Sequence, residues 1–411
     1  LYEWRTNVAS AASDQPGSAG PPTLFDPVPQ VDDPRRTAAV TAYRPRHIRS
    51  LDGVRGLAVL IVFFFHYGGG THSGNRALQV FGLVNKGGWA GVVLFFVLSG
   101  FLITGILWDS FGDPHWWSKF FARRSLRIFP LYFLALLLVI LAAIPAGTVA
   151  AAAGRIWIPA LFLENFPVLG DLANNIASPL ALFHLWSIAV EEQFYLIWPW
   201  LLLLTRTRQR AMQLCLATFV LSACFRIVTA YLAPAAWDHS LPSEAGALAA
   251  GGWLALRVRG PRFEGLRRYF APAAFLGLLG FMAAGVAGRQ FDGTFEMRVF
   301  GVPSITLCFT ALIALALQPG WVASLLSVRW LRGLGSISYG FYIAHMLFLN
   351  YYVGLANRLA GGREGMLRNL SLFVVAGVCS TCLAWLSFHL FERQFLRLKR
   401  YFVPERIAAR A

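Results

Sequence analysis

The chain has 411 residues, 57% of them hydrophobic and only 14% charged, with a formal net charge of +16. A soluble domain of this size carries roughly a quarter charged residues and under half apolar ones, so a disordered chain, a coiled coil and a conventional soluble enzyme are excluded. The basic residues punctuate apolar runs of helix-spanning length, so the charge reports membrane topology and leaves nucleic-acid binding without support.

Residues 1–46 are rich in Pro, Ala, Ser, Asp and Thr without a helical period, and read as a disordered cytoplasmic tail. Apolar segments then recur at 53–68, 89–108, 126–144, 183–204, 212–232, 243–257, 271–288, 299–317, 335–353 and 369–391. Most approach the ~20 residues that a bilayer core requires, and 243–257 is short enough to need tilting or extension. The first run carries no small-residue cleavage pattern and is expected to stay in the membrane. Residues 149–166, with Arg155, Pro159 and Glu164, form a further, weaker apolar stretch that reads as interfacial or re-entrant.

With the N-terminus inside, the loops Lys119–Arg127, Arg206–Arg210, Arg257–Arg268 and Arg329–Arg332 and the tail from Arg393 to Arg410 hold most of the basic residues. The loop 354–368, with Arg358, Arg363 and Arg368, is the exception. The expected fold is all-α: a polytopic membrane helix bundle of about ten transmembrane helices with both termini cytoplasmic. Its membrane domain is expected over 47–396 and a basic tail over 397–411. Cys215, Cys224, Cys308, Cys379 and Cys382 all lie in apolar stretches, so they read as packing residues.

An ionisable side chain at the centre of a span costs about 3 kcal/mol or more, so polar residues inside the apolar runs carry the functional information. In the first run Arg55 and His66 stand eleven residues apart, on one helical face and about 16 Å along the axis, with Asp52 one turn from Arg55. His66 taken alone fits a hydrogen-bonded interfacial histidine as well as a catalytic one. Ser99-Gly100 in the second run permits close helix approach or, alternatively, a nucleophilic serine. The arginines Arg123, Arg124 and Arg127 at the next helix entrance suit topology and anionic lipid; equally, Arg124 and Arg127 lie one turn apart and suit a phosphate-bearing ligand.

The run 183–204 places His184, Ser187, Glu191 and Tyr195 on one face, with Glu192 beside it. Two adjacent acids in an apolar helix need partners such as Arg55 or Arg226, as an ion-pair network or as the lining of a hydrated cavity. Ser338, Tyr342 and His345 share a face of the ninth run, where packing and interfacial anchoring are alternatives. The chain has no phosphate-binding P-loop, dinucleotide fingerprint or H-E-x-x-H motif, and no metal is expected.

Five pieces, in order over roughly 50–395, resemble the acyltransferase 3 family of integral membrane O-acyltransferases. They are Leu51–Gly56 with Phe65-His66, Leu94–Phe101, Arg123–Pro130, Leu185–Tyr195 and Ile337–His345. The resemblance implies a ten-helix membrane fold in the cell (plasma or inner) membrane that uses acyl-CoA, with acetyl-CoA as the expected donor, to acylate a hydroxyl. Its acceptors include surface glycans and macrolide-type small molecules. It further implies that His66 is the essential first-helix histidine, that Arg124 and Arg127 form the R-x-x-R motif, and that Glu191-Glu192 are the paired acids. Relatives commonly carry Asp at the position of Val93, and Arg and Asp at those of Glu244 and Gly246. The expected form is a standalone one without an appended esterase-like domain.

The expected roles follow. His66 is a general base oriented by Glu191 or Glu192, and Tyr195 or Ser187 donates to the oxyanion. Arg55, Arg123, Arg124 and Arg127 hold the donor; Ser99, Tyr342 and His345 face the substrate. An acyl-histidine relay is the rival mechanism. Two other classes stay open: a secondary transporter or flippase with a polar cavity, and an intramembrane hydrolase built on Ser99.

Overall fold

A backbone that crosses hydrocarbon must satisfy its own hydrogen bonds, and blocks of Leu, Val, Phe and Ala do so as helices. The computed structural model describes residues 48–69, 82, 85–232, 237–260, 263–362 and 365–402, and all regular structure among them is helical. The expected tail 1–46 and residues 403–411 lie outside the described residues.

The chain opens with α1 (Arg49–Tyr67) and α2 (Ala90–Ser110), the latter entered through a 3-10 turn at Lys86–Trp89. The long α3 (Trp116–Ala143) is followed by the short α4 (Val149–Ala160) and α5 (Pro167–Asn174). Then come α6 (Trp186–Leu203), α7 (Arg208–Leu232), α8 (Leu241–Val258), α9 (Arg267–Ala287) and α10 (Val302–Ala316). After the short α11 (Trp321–Leu326) and α12 (Arg329–Ser336), α13 (Ser338–Leu347) and α14 (Leu349–Leu359) form one segment broken at Phe348. The chain closes with α15 (Met366–Ser387), α16 (Arg393–Leu398) and a 3-10 turn at Lys399–Phe402.

Among the described residues seven helical stretches are long and apolar enough to cross a membrane: Arg49–Tyr67, Lys86–Ser110, Trp116–Ala143, Arg208–Leu232, Glu264–Ala287, Met297–Ala316 and Met366–Phe402. The three remaining apolar runs of the sequence fold as α6, α8 and the α13–α14 pair. The first two carry acids within the helix, Glu191 and Glu192 in α6 and Glu244 in α8, while the third is interrupted. Of these, α8, α13 and the first half of α6 are enclosed, as is the apolar α2. All of α13 except Tyr339 is buried, whereas α7, α9 and α15 turn Leu216, Leu221, Leu276, Leu279, Leu370 and Val378 outwards.

Glycine sets the tightest helix crossings. A methyl group on Gly100 of α2 would overlap the carbonyl oxygen of Leu248, and one on Gly251 of α8 would overlap that of Val97. The two backbones therefore touch, as small residues allow where lipid gives no hydrophobic drive between helices. Gly53 and Gly56 of α1 admit the Leu326 and Leu331 carbonyls of α11 and α12 in the same way. All five cysteines are free.

Residues 149–174 form a helical hairpin against α3. The hydroxyl of Tyr132, midway along α3, shares its one proton between the Pro159 carbonyl at 2.8 Å and Glu164 Oε1 at 2.9 Å. Thr148 and Ser178 bond the Ala177 and Val139 carbonyls near the end of α3. α4 thus descends about 16 Å beside α3, the eleven-residue rise from Tyr132 to Ala143, and α5 returns. At the tip Phe162 takes a left-handed conformation (φ 56°), which costs a non-glycine residue energy. Its surroundings hold it there: its ring stacks on Tyr132 at 4.6 Å and its carbonyl accepts Gln193 Nε2 at 2.8 Å. Gln193 also exchanges two amide hydrogen bonds with Asn165, at 3.0 and 2.7 Å.

Two melting experiments on the full chain in detergent test these contacts. Gln193→Leu strands the buried Asn165 amide and removes three hydrogen bonds, which should cost about 3 kcal/mol. Gly100→Val should cost about 2–3 kcal/mol through overpacking. An unchanged melting temperature in either variant contradicts the corresponding contact.

Candidate active site

The polar residues singled out in the sequence gather into a column between the two ends of the bundle. At one end stand five half-buried cations: Arg55 on α1, Arg123, Arg124 and Arg127 on α3, and Lys399 on the final turn. They are close enough that the charges of Arg127, Arg124, Arg123 and Arg55 all act on Lys399, and those of Arg127 and Arg124 on Arg55. Arg55 pairs with Asp52 at 3.1 Å, the contact their spacing implies. Among the described residues the other four form no ion pair. A cluster of this kind has guanidinium forks to spare for an anion. Lys399 lies outside the sequence-derived set because a basic C-terminal tail reads equally well as a topology signal.

The middle of the column is hydroxyl-rich. Arg124 lies over the Tyr195 ring at 5.7 Å. The Tyr195 hydroxyl donates to Glu191 Oε2 at 3.1 Å and meets Ser99 Oγ at 2.6 Å. A phenol has one proton, so the Ser99 hydroxyl donates to Tyr195. Among the described residues no histidine hydrogen-bonds Ser99, whose neighbours are Tyr195 and Glu191. One turn away Ser187 Oγ and the Tyr342 hydroxyl meet at 2.6 Å, and Tyr342 donates to the His184 carbonyl at 2.8 Å. Glu192 Oε1 is buried and has no hydrogen-bond partner.

Three imidazoles close the column. His345, fully buried, stands 5.2 Å from His66 and 5.5 Å from His184 between ring centres. His184 also packs on Tyr342 at 5.5 Å. His66 Nδ1 lies 2.9 Å from the Val62 carbonyl one turn back. A carbonyl only accepts, so Nδ1 carries the proton and Nε2 presents a lone pair. The same reasoning applies to His345, whose Nδ1 meets the Tyr342 carbonyl at 2.5 Å. His345 Nε2 and both ring nitrogens of His184 are buried without a hydrogen-bond partner. Among the described residues no three His, Cys, Asp or Glu side chains are placed to hold a metal.

The structure thus joins Ser99, Glu191 and Tyr195 in one group, Ser187 and Tyr342 in a second, and His66 and His345 in a third. It does not bring the paired acids to His66. Glu191 is bonded to Tyr195, and the neighbours of His66 are the Val62 carbonyl, Phe65, Tyr67, Phe183 and His345. The partners suggested for the acids are engaged elsewhere, Arg55 by Asp52 and Arg226 by Glu244. His184 owes its place to the 3-10 turn Phe183–Leu185 before α6, which sequence periodicity does not reveal.

Fold and site define a membrane-type helical bundle enclosing an ionisable column, cationic at one end and imidazole-lined at the other. A family model described as an acyltransferase domain matches residues 48–389, and the chain belongs to this acyltransferase 3 family. The chain is 29% identical over 324 residues to the putative peptidoglycan O-acetyltransferase YrhL of Bacillus subtilis, covering 73% of this chain and 48% of that protein. It is 32% identical over 171 residues to the peptidoglycan O-acetyltransferase OatA of Listeria monocytogenes, 40% of this chain and 25% of that protein. A putative O-acetyltransferase of Staphylococcus aureus, SACOL0978, is 30% identical over 175 residues, 40% of this chain and 26% of that protein. The chain therefore spans about half or less of these relatives' length. No solved structure matches it.

The tautomer is open to measurement. Histidine-labelled protein in lipid nanodiscs should show His66 protonated at Nδ1 at neutral pH, the signal assigned by its loss in His66→Gln. A dominant Nε2–H form contradicts the geometry.

Proposed function

We propose that this protein is an integral O-acyltransferase of the cell membrane that moves an acetyl group from acetyl-CoA to a hydroxyl of a cell-envelope glycan. In the topology expected from the sequence, ten spans with both termini inside, the cation cluster lies at the cytoplasmic face and the imidazoles towards the outside. The observation that carries this reading is the column itself. Arg55 and His66 lie about 16 Å apart along one helix, with Tyr195, Glu191, Ser99, Ser187 and Tyr342 between the two ends. Such a passage suits an extended pantetheine arm whose phosphates stay among Arg55, Arg123, Arg124, Arg127 and Lys399. The names of the peptidoglycan O-acetyltransferase relatives support a glycan acceptor.

In this mechanism His66 Nε2 takes the proton of the acceptor hydroxyl while its oxygen attacks the thioester carbonyl carbon. The carbonyl oxygen becomes a tetrahedral oxyanion, to which Ser187 donates by turning its proton away from Tyr342. The C–S bond then breaks, and the imidazolium returns its proton to the departing CoA thiolate, leaving an ester and free CoA. The Val62 carbonyl, rather than a carboxylate, sets the orientation of His66, and His345 packs against its ring. Glu191 and Tyr195 line the donor's path and hold the Arg124 face in place.

The test follows thiol release and labelled ester from acetyl-CoA with the purified full chain in nanodiscs and envelope extract as acceptor. His66→Ala should lower turnover at least ~100-fold with CoA binding unchanged. Arg124→Ala and Arg127→Ala should each weaken CoA binding about tenfold or more. Undiminished transfer by His66→Ala overturns the assignment of the base. Absence of CoA-dependent ester formation in the wild type overturns the reaction.

A further inference from the structure

At the imidazole end of the bundle lies a second group of charges that the acyl-transfer chemistry does not use. Arg226, near the end of α7, bonds Glu244 Oε1 in the first turn of α8 at 2.8 Å and the Ser243 carbonyl at 2.9 Å. Arg298 bonds Asp238 at 2.9 Å. Arg298 is presented by a π-helical turn, Met297–Gly301, an irregularity that recurs at functional sites. The two pairs form one cluster, since the charge of Asp238 acts on Glu244 and those of Asp238 and Arg298 on Asp292. Each pair keeps hydrogen-bonding capacity in reserve: Glu244 Oε2 and Arg298 Nε are buried with no protein partner, on side chains more than nine-tenths buried. Nothing in hydrocarbon packing calls for a network of this size, and polar atoms left unmet there are costly.

Trp186 links the cluster to the imidazoles. His239, next to Asp238, is exposed, and its ring lies on that of Trp186 at 4.0 Å; Trp186 and Asp238 are half-buried. Trp186 stands two residues from His184, which packs against His345, the ring next to His66. Charge selects the ligand class. Arg226 and Arg298 face Glu244, Asp238 and Asp292, so the cations are already neutralised and an anion gains nothing by entering. A hydroxyl can both donate to a carboxylate and accept from a guanidinium, and the apolar faces of a sugar ring stack on indole.

We propose that Asp238, Glu244 and Arg298, together with the Trp186–His239 stack, form the subsite for a neutral polyhydroxylated acceptor, a glycan chain, next to the transfer centre. The inference rests on the acyl-transfer reading above and names where that reaction's acceptor is held. It makes Asp238 and Trp186 acceptor-binding residues and leaves donor binding to the opposite end.

The test is equilibrium binding of two neutral probes, chitotetraose and maltotetraose, to the full chain in nanodiscs, with CoA binding measured in parallel. Asp238→Asn and Trp186→Ala should each weaken the better probe at least tenfold and change CoA binding less than twofold. Trp186→Phe, which alters no charge, is the deciding variant if either of these also loses CoA binding, and should weaken the probe at least threefold. Binding of neither probe by the wild type, or equal probe binding by wild type and the variants that retain CoA binding, overturns the subsite. Probe binding that responds to the variants without ester formation from acetyl-CoA overturns the acyl-transfer reading and leaves the subsite standing.

Discussion

A carboxylate or guanidinium among lipid tails is tolerated only beside another polar group, and this desolvation cost organises the whole bundle. It draws α8, α13 and the first half of α6, which carry Glu244, Tyr342, His345, Glu191 and Glu192, into the interior, and leaves the apolar α7, α9 and α15 to face outwards. Within the interior the polar groups then meet one another: Glu191 with Tyr195, Ser187 with Tyr342, Arg226 with Glu244. Glycine completes the arrangement. Where two apolar helices gain little by leaving lipid for each other, backbone contact at Gly100 and Gly251 supplies the dispersion energy that holds α2 to α8.

The two ends of the column balance their charges differently, and this difference separates their tasks. Around Arg55 five cations gather, and among the described residues only Arg55 is in an ion pair, so the field there is attractive to phosphate. Around Arg226 and Arg298 the guanidiniums are met by carboxylates, so recognition there depends on hydrogen-bond geometry. His66 lies at the second end, its tautomer held by a backbone carbonyl of its own helix. That partner is built into α1 and does not depend on how neighbouring helices pack.

Much of this was legible in the residues. The spacing of Arg55 and Asp52 placed them within one turn, and the structure pairs them. Ser99-Gly100 read as a point of close approach or a nucleophile; Gly100 makes the approach, while Ser99 is engaged by Tyr195. The weak stretch with Pro159 and Glu164 read as interfacial or re-entrant, and it folds as a hairpin secured by Tyr132 and Gln193. Gln193 had no assigned role, because its partners Asn165 and Phe162 lie some thirty residues away in a segment with no helical period.

Sequence by itself determined the all-helical class, the family, and which faces of α1, α6 and α13 carry polar groups. The class and the polar faces follow from composition and from the 3.6-residue period, and the family from the five motifs that resemble it, all local properties of a chain. Only the tertiary structure decided which polar groups meet. It gave Glu191 to Tyr195 rather than to His66, drew His184 and His345 together beside His66, and brought Lys399 to the arginines of α3. Helical periodicity states the direction in which a side chain points along its own axis. Which helix stands opposite is settled by where glycines let backbones touch and by the cost of leaving a charge unmet, and those are properties of the assembled bundle.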